Sequence, residues 1–132
     1  MILIDSNVLM YSSGADHPNK APSVHFLKRV AAGEIEANVD AEVLQEIMHR
    51  YLALRRWKEG RQVYNLARKL FPEALAITGA VMDNAKRLAD EDPDISARDA
   101  VHAAVVATYQ LEGIYTFDKD FDNIPCCCRV RL

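Results

Sequence analysis

A three-layer α/β domain with a mostly parallel central sheet is what this sequence predicts, and three observations predict it. Short apolar runs alternate with longer segments of helical periodicity, the pattern of a sheet whose strands are joined by helices. Two of those runs end in an aspartate: Met1-Ile2-Leu3-Ile4-Asp5 and Gly113-Ile114-Tyr115-Thr116-Phe117-Asp118. The length, 132 residues of which 50% are hydrophobic, suits one sizeable core, and residues 1–132 are read as one domain.

Taken in order, residues 1–5 read as a strand. Asp16-His17-Pro18-Asn19 is a turn cluster, and a helix over about 20–32 is stopped by Gly33. Ile35, Ala37 and Val39 alternate as a strand should. Asp40 can cap the next helix, in which Val43, Leu44, Ile47, Met48, Tyr51 and Leu52 form one apolar face. Another helix runs from about 58 to 70 and ends before Pro72. Ala74 to Thr78 is a brief strand, with Thr78 capping a helix through about Ala89. After the acidic turn Asp90-Glu91-Asp92-Pro93-Asp94, Ser96 caps a long helix over about 97–111, apolar on most sides and therefore buried. A strand over Ile114 to Phe117 follows Gly113, then a turn or short helix at Asp118–Asn123 and a strand around Cys127–Leu132. The sequence holds no internal repeat, low-complexity tract or linker.

Composition narrows the function classes. A net charge of −3 and a pI near 5.8 do not describe a basic nucleic-acid coat, so any contact with RNA or DNA must come from a local patch. No apolar stretch approaches the roughly 20 residues needed to span a bilayer, and the first residues lack a signal-peptide pattern, so a cytoplasmic enzyme with no membrane association is expected. Cys126, Cys127 and Cys128 are consecutive, which suits neither a disulfide framework nor a zinc site; they read as reduced thiols in or beside a strand.

Four carboxylates carry the chemistry. Asp5 and Asp118 sit just past strand ends, where the functional crevice of an open α/β sheet lies. Glu46 lies on the helix after Asp40, and Asp99 in the first turn of the buried helix. Carboxylates gathered in one place repel one another, and the usual resolutions are a raised pKa or a bound cation. Mg²⁺ and Mn²⁺ prefer oxygen ligands, often carboxylates together with substrate phosphate, so phosphodiester chemistry is the first reaction to consider.

Each acid also has an ordinary account. Asp5 could cap a helix, with Asn7 as a turn residue. Glu46 and Glu42 could be solvated charges, and periodicity does not choose between them. Ser96-Ala97-Arg98-Asp99 resembles a capping box with aspartate in the glutamate position. His102, three residues past Asp99, reads as a satisfied core histidine or as a group supporting the site. Thr116 could hydrogen-bond a phosphate, a water or a carboxylate, or be a plain strand threonine. Of the acids after Asp118, at least one of Asp120 and Asp122 is expected to be solvated. Arg50, Arg55, Arg56, Lys58, Arg61, Arg68 and Lys69 form a basic stretch opposed only by Glu59. It could track a phosphate backbone toward Glu46, with Trp57 and Tyr64 stacking on bases, or it could be a solvated face.

With all four acids in view, the chain resembles a PIN-domain ribonuclease, and within that family the toxin of the VapBC toxin–antitoxin type. The segments that carry the resemblance are MILIDSNVLMY at the start, VLQE at 43–46, ISARDAVHAA at 95–104 and IYTFDKDF at 114–121. The resemblance implies a compact α/β/α PIN-like domain whose acidic pocket binds Mg²⁺ or Mn²⁺ and cleaves single-stranded or looped RNA. By position, Asp5, Glu46, Asp99 and Asp118 match its acidic quartet, Asn7 and Thr116 its supporting polar residues, and Asp122 a further candidate acid. It also implies a homodimer neutralised by a small antitoxin. Asp40 stands where many members have serine or threonine, and the triple cysteine is unusual.

Rival readings are a PIN nuclease of RNA processing or quality control, a non-catalytic RNA-binding relic of the fold, and a Mg²⁺-dependent phospho-receiver. A receiver would need adjacent acids after an early strand and a lysine at a late one, whereas here Asp5 stands alone and the late strand ends in Asp118. A relic would be expected to have lost an acid, and none is missing.

Overall fold

The computed structural model describes residues 1–131. In chain order they form β1 (Ile2–Ile4), α1 (Ser6–Ser13), α2 (Lys20–Ala31), β2 (Ala37–Asn38), α3 (Ala41–Ala53), α4 (Trp57–Leu70), α5 (Gly79–Glu91), α6 (Ala97–Thr108), β3 (Ile114–Tyr115) and a 3₁₀ turn (Lys119–Asn123). The three strands make a wholly parallel sheet in the order β2-β1-β3. Ile2 pairs with Ala37 and Leu3 with Asn38 on one side of β1, and Leu3 with Ile114 and Ile4 with Tyr115 on the other.

Alternation along β1 divides the core into two, because successive side chains leave opposite faces of a strand. Leu3 packs with α5, α6 and Phe121, whereas Ile4 packs with Val8 and Leu9 of α1, Phe26 of α2, Val43 and Ile47 of α3 and Val63 of α4. Helices on both faces of a parallel sheet give the three layers expected. Residues 100–106 of α6 are buried without interruption, as the Ala- and Val-rich sequence requires. Among the described residues, no helix is long and apolar enough to cross a membrane.

Glycine is needed at Gly113, where a Cβ would meet the Cys128 carbonyl oxygen, and at two further places. Gly33 takes φ +78° just past α2, where the N–H of Glu34 returns to the Arg29 carbonyl at 2.9 Å. Gly60 lies where α4 crosses α3, and a Cβ there would collide with the Tyr51 side chain.

Several expectations are corrected. Residues 6–13 form α1, whose bounds were not set from the sequence although Asp5 was read as a possible helix cap; Asp5 does cap it, and Val8 and Leu9 are buried. The strand expected over Ala74 to Thr78 reduces to one parallel bridge between Asp40 and Leu75. That expected around Cys127–Leu132 reduces to a bridge between Ile114 and Arg129, and Leu132 lies outside the described residues. Helix α6 stops at Thr108 instead of about 111, because Gln110 takes a positive φ of 55° and the Leu111 N–H bonds back to the Val106 carbonyl. The apolar face of α3 is narrower than its periodicity implied: Val43, Ile47 and Tyr51 are buried, but Met48 and Leu52 are 40% and 51% exposed. Trp57 and Tyr64 pack against the core.

Candidate active site

Asp5, Glu46, Asp99 and Asp118 all line one groove of about 820 Å³, together with Asn7, His102 and, toward its rim, Arg50, Arg56 and Arg98. Topology brings them there. Asp5 and Asp118 follow parallel strands on the same sheet edge, while α3 and α6 run past that edge and contribute Glu46 and Asp99.

The buried end of the groove is densely hydrogen-bonded. Asp5 is 5% exposed and caps α1, its Oδ1 accepting from the Ser6 N–H at 2.7 Å. Its Oδ2 accepts from Thr116 Oγ1 at 2.7 Å and from Asn7 Nδ2 at 3.4 Å. Asn7 Nδ2 also donates to Thr116 Oγ1 at 3.1 Å, so both supporting polar residues expected from the sequence touch Asp5. Glu46, 6% exposed, is held at both oxygens: Ser6 Oγ donates to Oε2 at 2.5 Å, and His102 Nε2 lies 2.6 Å from Oε1. Between the two accounts of His102 the structure makes no choice, since the ring is a fully satisfied core histidine and also touches the site.

The second half of the cluster is more open. Asp99 is half-buried, and Ser96 Oγ caps α6 by accepting from the Asp99 N–H at 3.1 Å. Asp99 also lines the groove. Carboxylate oxygens of Asp99, Asp118 and Asp120 lie within 4.8 Å of one another, as do ligand atoms of Asp5, Glu46 and His102. Asp122 is not brought in: its carboxylate is exposed and bound by the Arg129 guanidinium at 3.0 and 3.1 Å, which lowers its pKa. Arg50 and Arg56 reach the groove, Arg56 while paired with Glu59, but Arg55 does not line it. Sequence reasoning passed over Ser6, Arg98 and the stacked pair Tyr11–His17, which lines the outer groove with ring centroids 4.5 Å apart. Nothing in their local sequence marks them, apart from the place of Ser6 beside Asp5.

Electrostatics follow from this crowding. Burial raises the Asp5 carboxyl above its ordinary range, with Glu46 adding to the rise and His102 and Thr116 opposing it. Burial and the neighbouring Asp118 charge raise Asp99 likewise. For Glu46, burial would do the same, but the hydrogen bond and charge of His102, aided by Ser6, bring it below the usual value. His102 is the counterpart: desolvation opposes its charge, and hydrogen bonds from its ring to Asp40 and Glu46 overcome that and lift its pKa well above 6.5.

A divalent cation fits this donor set. Both nitrogens of His102 are engaged, leaving carboxylate oxygens, which are hard ligands suited to Mg²⁺ or Mn²⁺. Even a charged His102 is outnumbered by the three buried acids Asp5, Asp40 and Glu46, and each Glu46 oxygen keeps a lone pair beyond its one protein partner. The acidic cluster can therefore hold a metal.

Known proteins share this arrangement of chain. The sequence pattern of the PIN domain matches residues 2–125. The chain is 37% identical over 125 residues to VapC ribonuclease Mb1869c of Mycobacterium bovis and to ribonuclease VapC13 of Mycobacterium tuberculosis, covering 95% of this chain and 95% of each relative. To ribonuclease VapC23 of M. tuberculosis it is 31% identical over 118 residues, covering 89% of this chain and 93% of the relative. In fold it is similar to a chain of the crystal structure of VapBC2 from Rickettsia felis bound to a DNA fragment from their promoter. That match has a TM-score of 0.75 and 15% identity, covering 98% of both chains. It is also similar to a chain of a toxin–antitoxin complex from Klebsiella pneumoniae, with a TM-score of 0.65 and 18% identity, covering 97% of this chain and 96% of that one.

Proposed function

The chain belongs to the PIN-domain family, and from that membership we propose that it is a single-domain, divalent-metal-dependent endoribonuclease, the toxin of a toxin–antitoxin pair, that cleaves single-stranded or looped RNA. The observation that carries the reading is the convergence of Asp5, Glu46, Asp99 and Asp118 on one groove whose rim bears cations. On this reading the four acids hold Mg²⁺ or Mn²⁺, Asn7 and Thr116 orient Asp5, and Arg50, Arg56 and Arg98 receive the phosphate backbone. Bound there, a divalent ion supplies Lewis acidity toward a phosphodiester and favours ionisation of water. The chain's own residues contribute positioning. Ser6 and His102 fix both oxygens of Glu46, Thr116 fixes Asp5, and the buried floor excludes bulk water. Partners consistent with the family are a small cognate antitoxin and a second copy of the chain in a homodimer, and the compartment is the cytoplasm.

The test is expression of the chain without any partner, followed by sequencing of the RNA ends that accumulate. Discrete new ends that vanish in the Asp5→Asn variant are expected. An RNA-end profile identical in parent and variant would overturn the nuclease reading. Relief of growth arrest by one small co-expressed protein would separate a toxin from an RNA-processing nuclease.

A further inference from the structure

Asp40 is wholly buried and uses both carboxylate oxygens. Its Oδ1 accepts from the Val43 N–H at 2.9 Å, which caps α3. Its Oδ2 lies 2.7 Å from His102 Nδ1, and on the far side of the same ring Nε2 lies 2.6 Å from Glu46 Oε1. The residue that starts α3 thus reaches, through a ring on α6, a carboxylate further along α3 itself.

Capping does not explain this. A cap needs one oxygen, and serine or asparagine serves a helix start about as well as aspartate. The second oxygen of Asp40 is spent on an imidazole, in a place where a buried carboxylate is costly unless it is hydrogen-bonded. Glu46 reaches the groove on a side chain with three rotatable bonds, and an unheld carboxylate would sample many directions. Here it is gripped from two sides, by Ser6 at Oε2 and His102 at Oε1. His102 can grip only if its own ring is fixed, and Asp40 is what fixes the Nδ1 edge.

We infer that Asp40 is a positioning residue for RNA cleavage: by anchoring the His102 ring it sets the direction in which Glu46 presents its carboxylate to the acidic groove. The inference rests on the reading of Glu46 as a metal ligand. It assigns Asp40 a second role beyond capping, and His102 the part of a rigid spacer between two carboxylates. Outer groups that orient a ligand in this way typically change metal affinity or activity by about 10–100-fold when removed.

The experiment compares Asp40→Ser with Asp40→Asn in the purified full chain. Both residues cap, so the start of α3 is kept in each, although Asp40→Ser leaves the buried His102 Nδ1 unpaired and should melt a few degrees below Asp40→Asn in the metal-free form. Only asparagine is long enough to meet the ring: its amide donates to Nδ1 and leaves the Nε2–H for Glu46. Asp40→Ser is expected to weaken Mn²⁺ binding, measured by titration calorimetry, by about 10-fold or more and to lower kcat for RNA cleavage more than it changes KM. Asp40→Asn should recover most of both losses. In a Glu46→Gln background, Asp40→Ser should cost no further Mn²⁺ affinity. Parent-like Mn²⁺ binding and cleavage in Asp40→Ser would overturn the inference, as would equal losses in the two variants or additive losses in the double variant. If Asp40→Ser does not fold, Asp40→Thr, a capping residue whose methyl fills part of the space, carries the same expectation. A parent that binds no Mn²⁺ at millimolar concentration would instead sink the metal-nuclease reading, and the inference with it.

Discussion

Thr116 Oγ1 donates a 2.7 Å hydrogen bond to Asp5 Oδ2, so the residue just past β3 is tied to the residue just past β1. The same hydroxyl accepts from Asn7 Nδ2 at 3.1 Å and from the Asp118 N–H at 3.0 Å. One side chain thereby links two acids of the quartet and their supporting asparagine. Thr116→Val keeps the shape and deletes all three bonds. Buried polar groups left without partners cost about 1–3 kcal/mol, so the melting temperature should fall by several degrees and RNA cleavage with it, while Thr116→Ser should restore both. Unchanged melting and cleavage in the valine variant would mean that the hydroxyl organises nothing.

The rim makes a sharper distinction. Arg50 and Arg56 line the groove and Arg55 does not, although the sequence offers the three as one cluster. For single-stranded RNA each phosphate contact contributes roughly 0.7 to the slope of log affinity against log salt. Replacing Arg50 and Arg56 by glutamine should flatten that slope and weaken binding, and Arg55→Gln should leave it alone. Equal effects from all three would return the stretch to a diffuse basic face.

Cys127 gives a pH dependence dominated by burial, to which the Asp99 and Asp5 charges also contribute. Burial, then the neighbouring Cys126 and Cys128, push its thiol up from 9.0 to about 12. Between those values the folded chain keeps a proton that the unfolded chain releases, so stability is lost as pH rises through the window, at up to about 1.4 kcal/mol per pH unit. Urea midpoints measured from pH 8 upward should fall more steeply for the parent than for Cys127→Val. Over the same range an alkylating reagent should reach the exposed Cys126 and Cys128 in the folded protein and spare Cys127.

Strands with a clear apolar run, helix starts with a good cap and the four acids were legible in the sequence, because each leaves a local mark. Asp40, Thr78 and Ser96 do cap α3, α5 and α6. Of helix α1 only the start was legible, through the possible cap at Asp5; its extent was not, since its serines and asparagine also suit a turn and burial of Val8 and Leu9 decides it. Pairing at Leu75 and Arg129 collapsed to single bridges because alternation says nothing of how much partner strand is available. Within the site, the bonds from His102 to Asp40 and Glu46 join residues 62 and 56 positions apart, a relation that no spacing rule encodes. The pairing of Asp122 with Arg129, only seven residues on, went unread for a different reason: three acids crowd residues 118–122, and spacing alone does not say which of them the arginine meets.

RNA cleavage by purified Asp99→Asn protein in Mn²⁺, beside the melting temperature of its metal-free form, tests the central claim most directly. Ser96 already caps α6, so asparagine should leave the helix start intact, and removing one of several mutually repelling acids should keep metal-free melting level or raise it. If the acids hold a catalytic cation, cleavage should fall by on the order of 100-fold or more, and chelation should abolish the parent's activity. Activity of Asp99→Asn within a few-fold of the parent, or parental cleavage that persists in a chelator, would contradict the account.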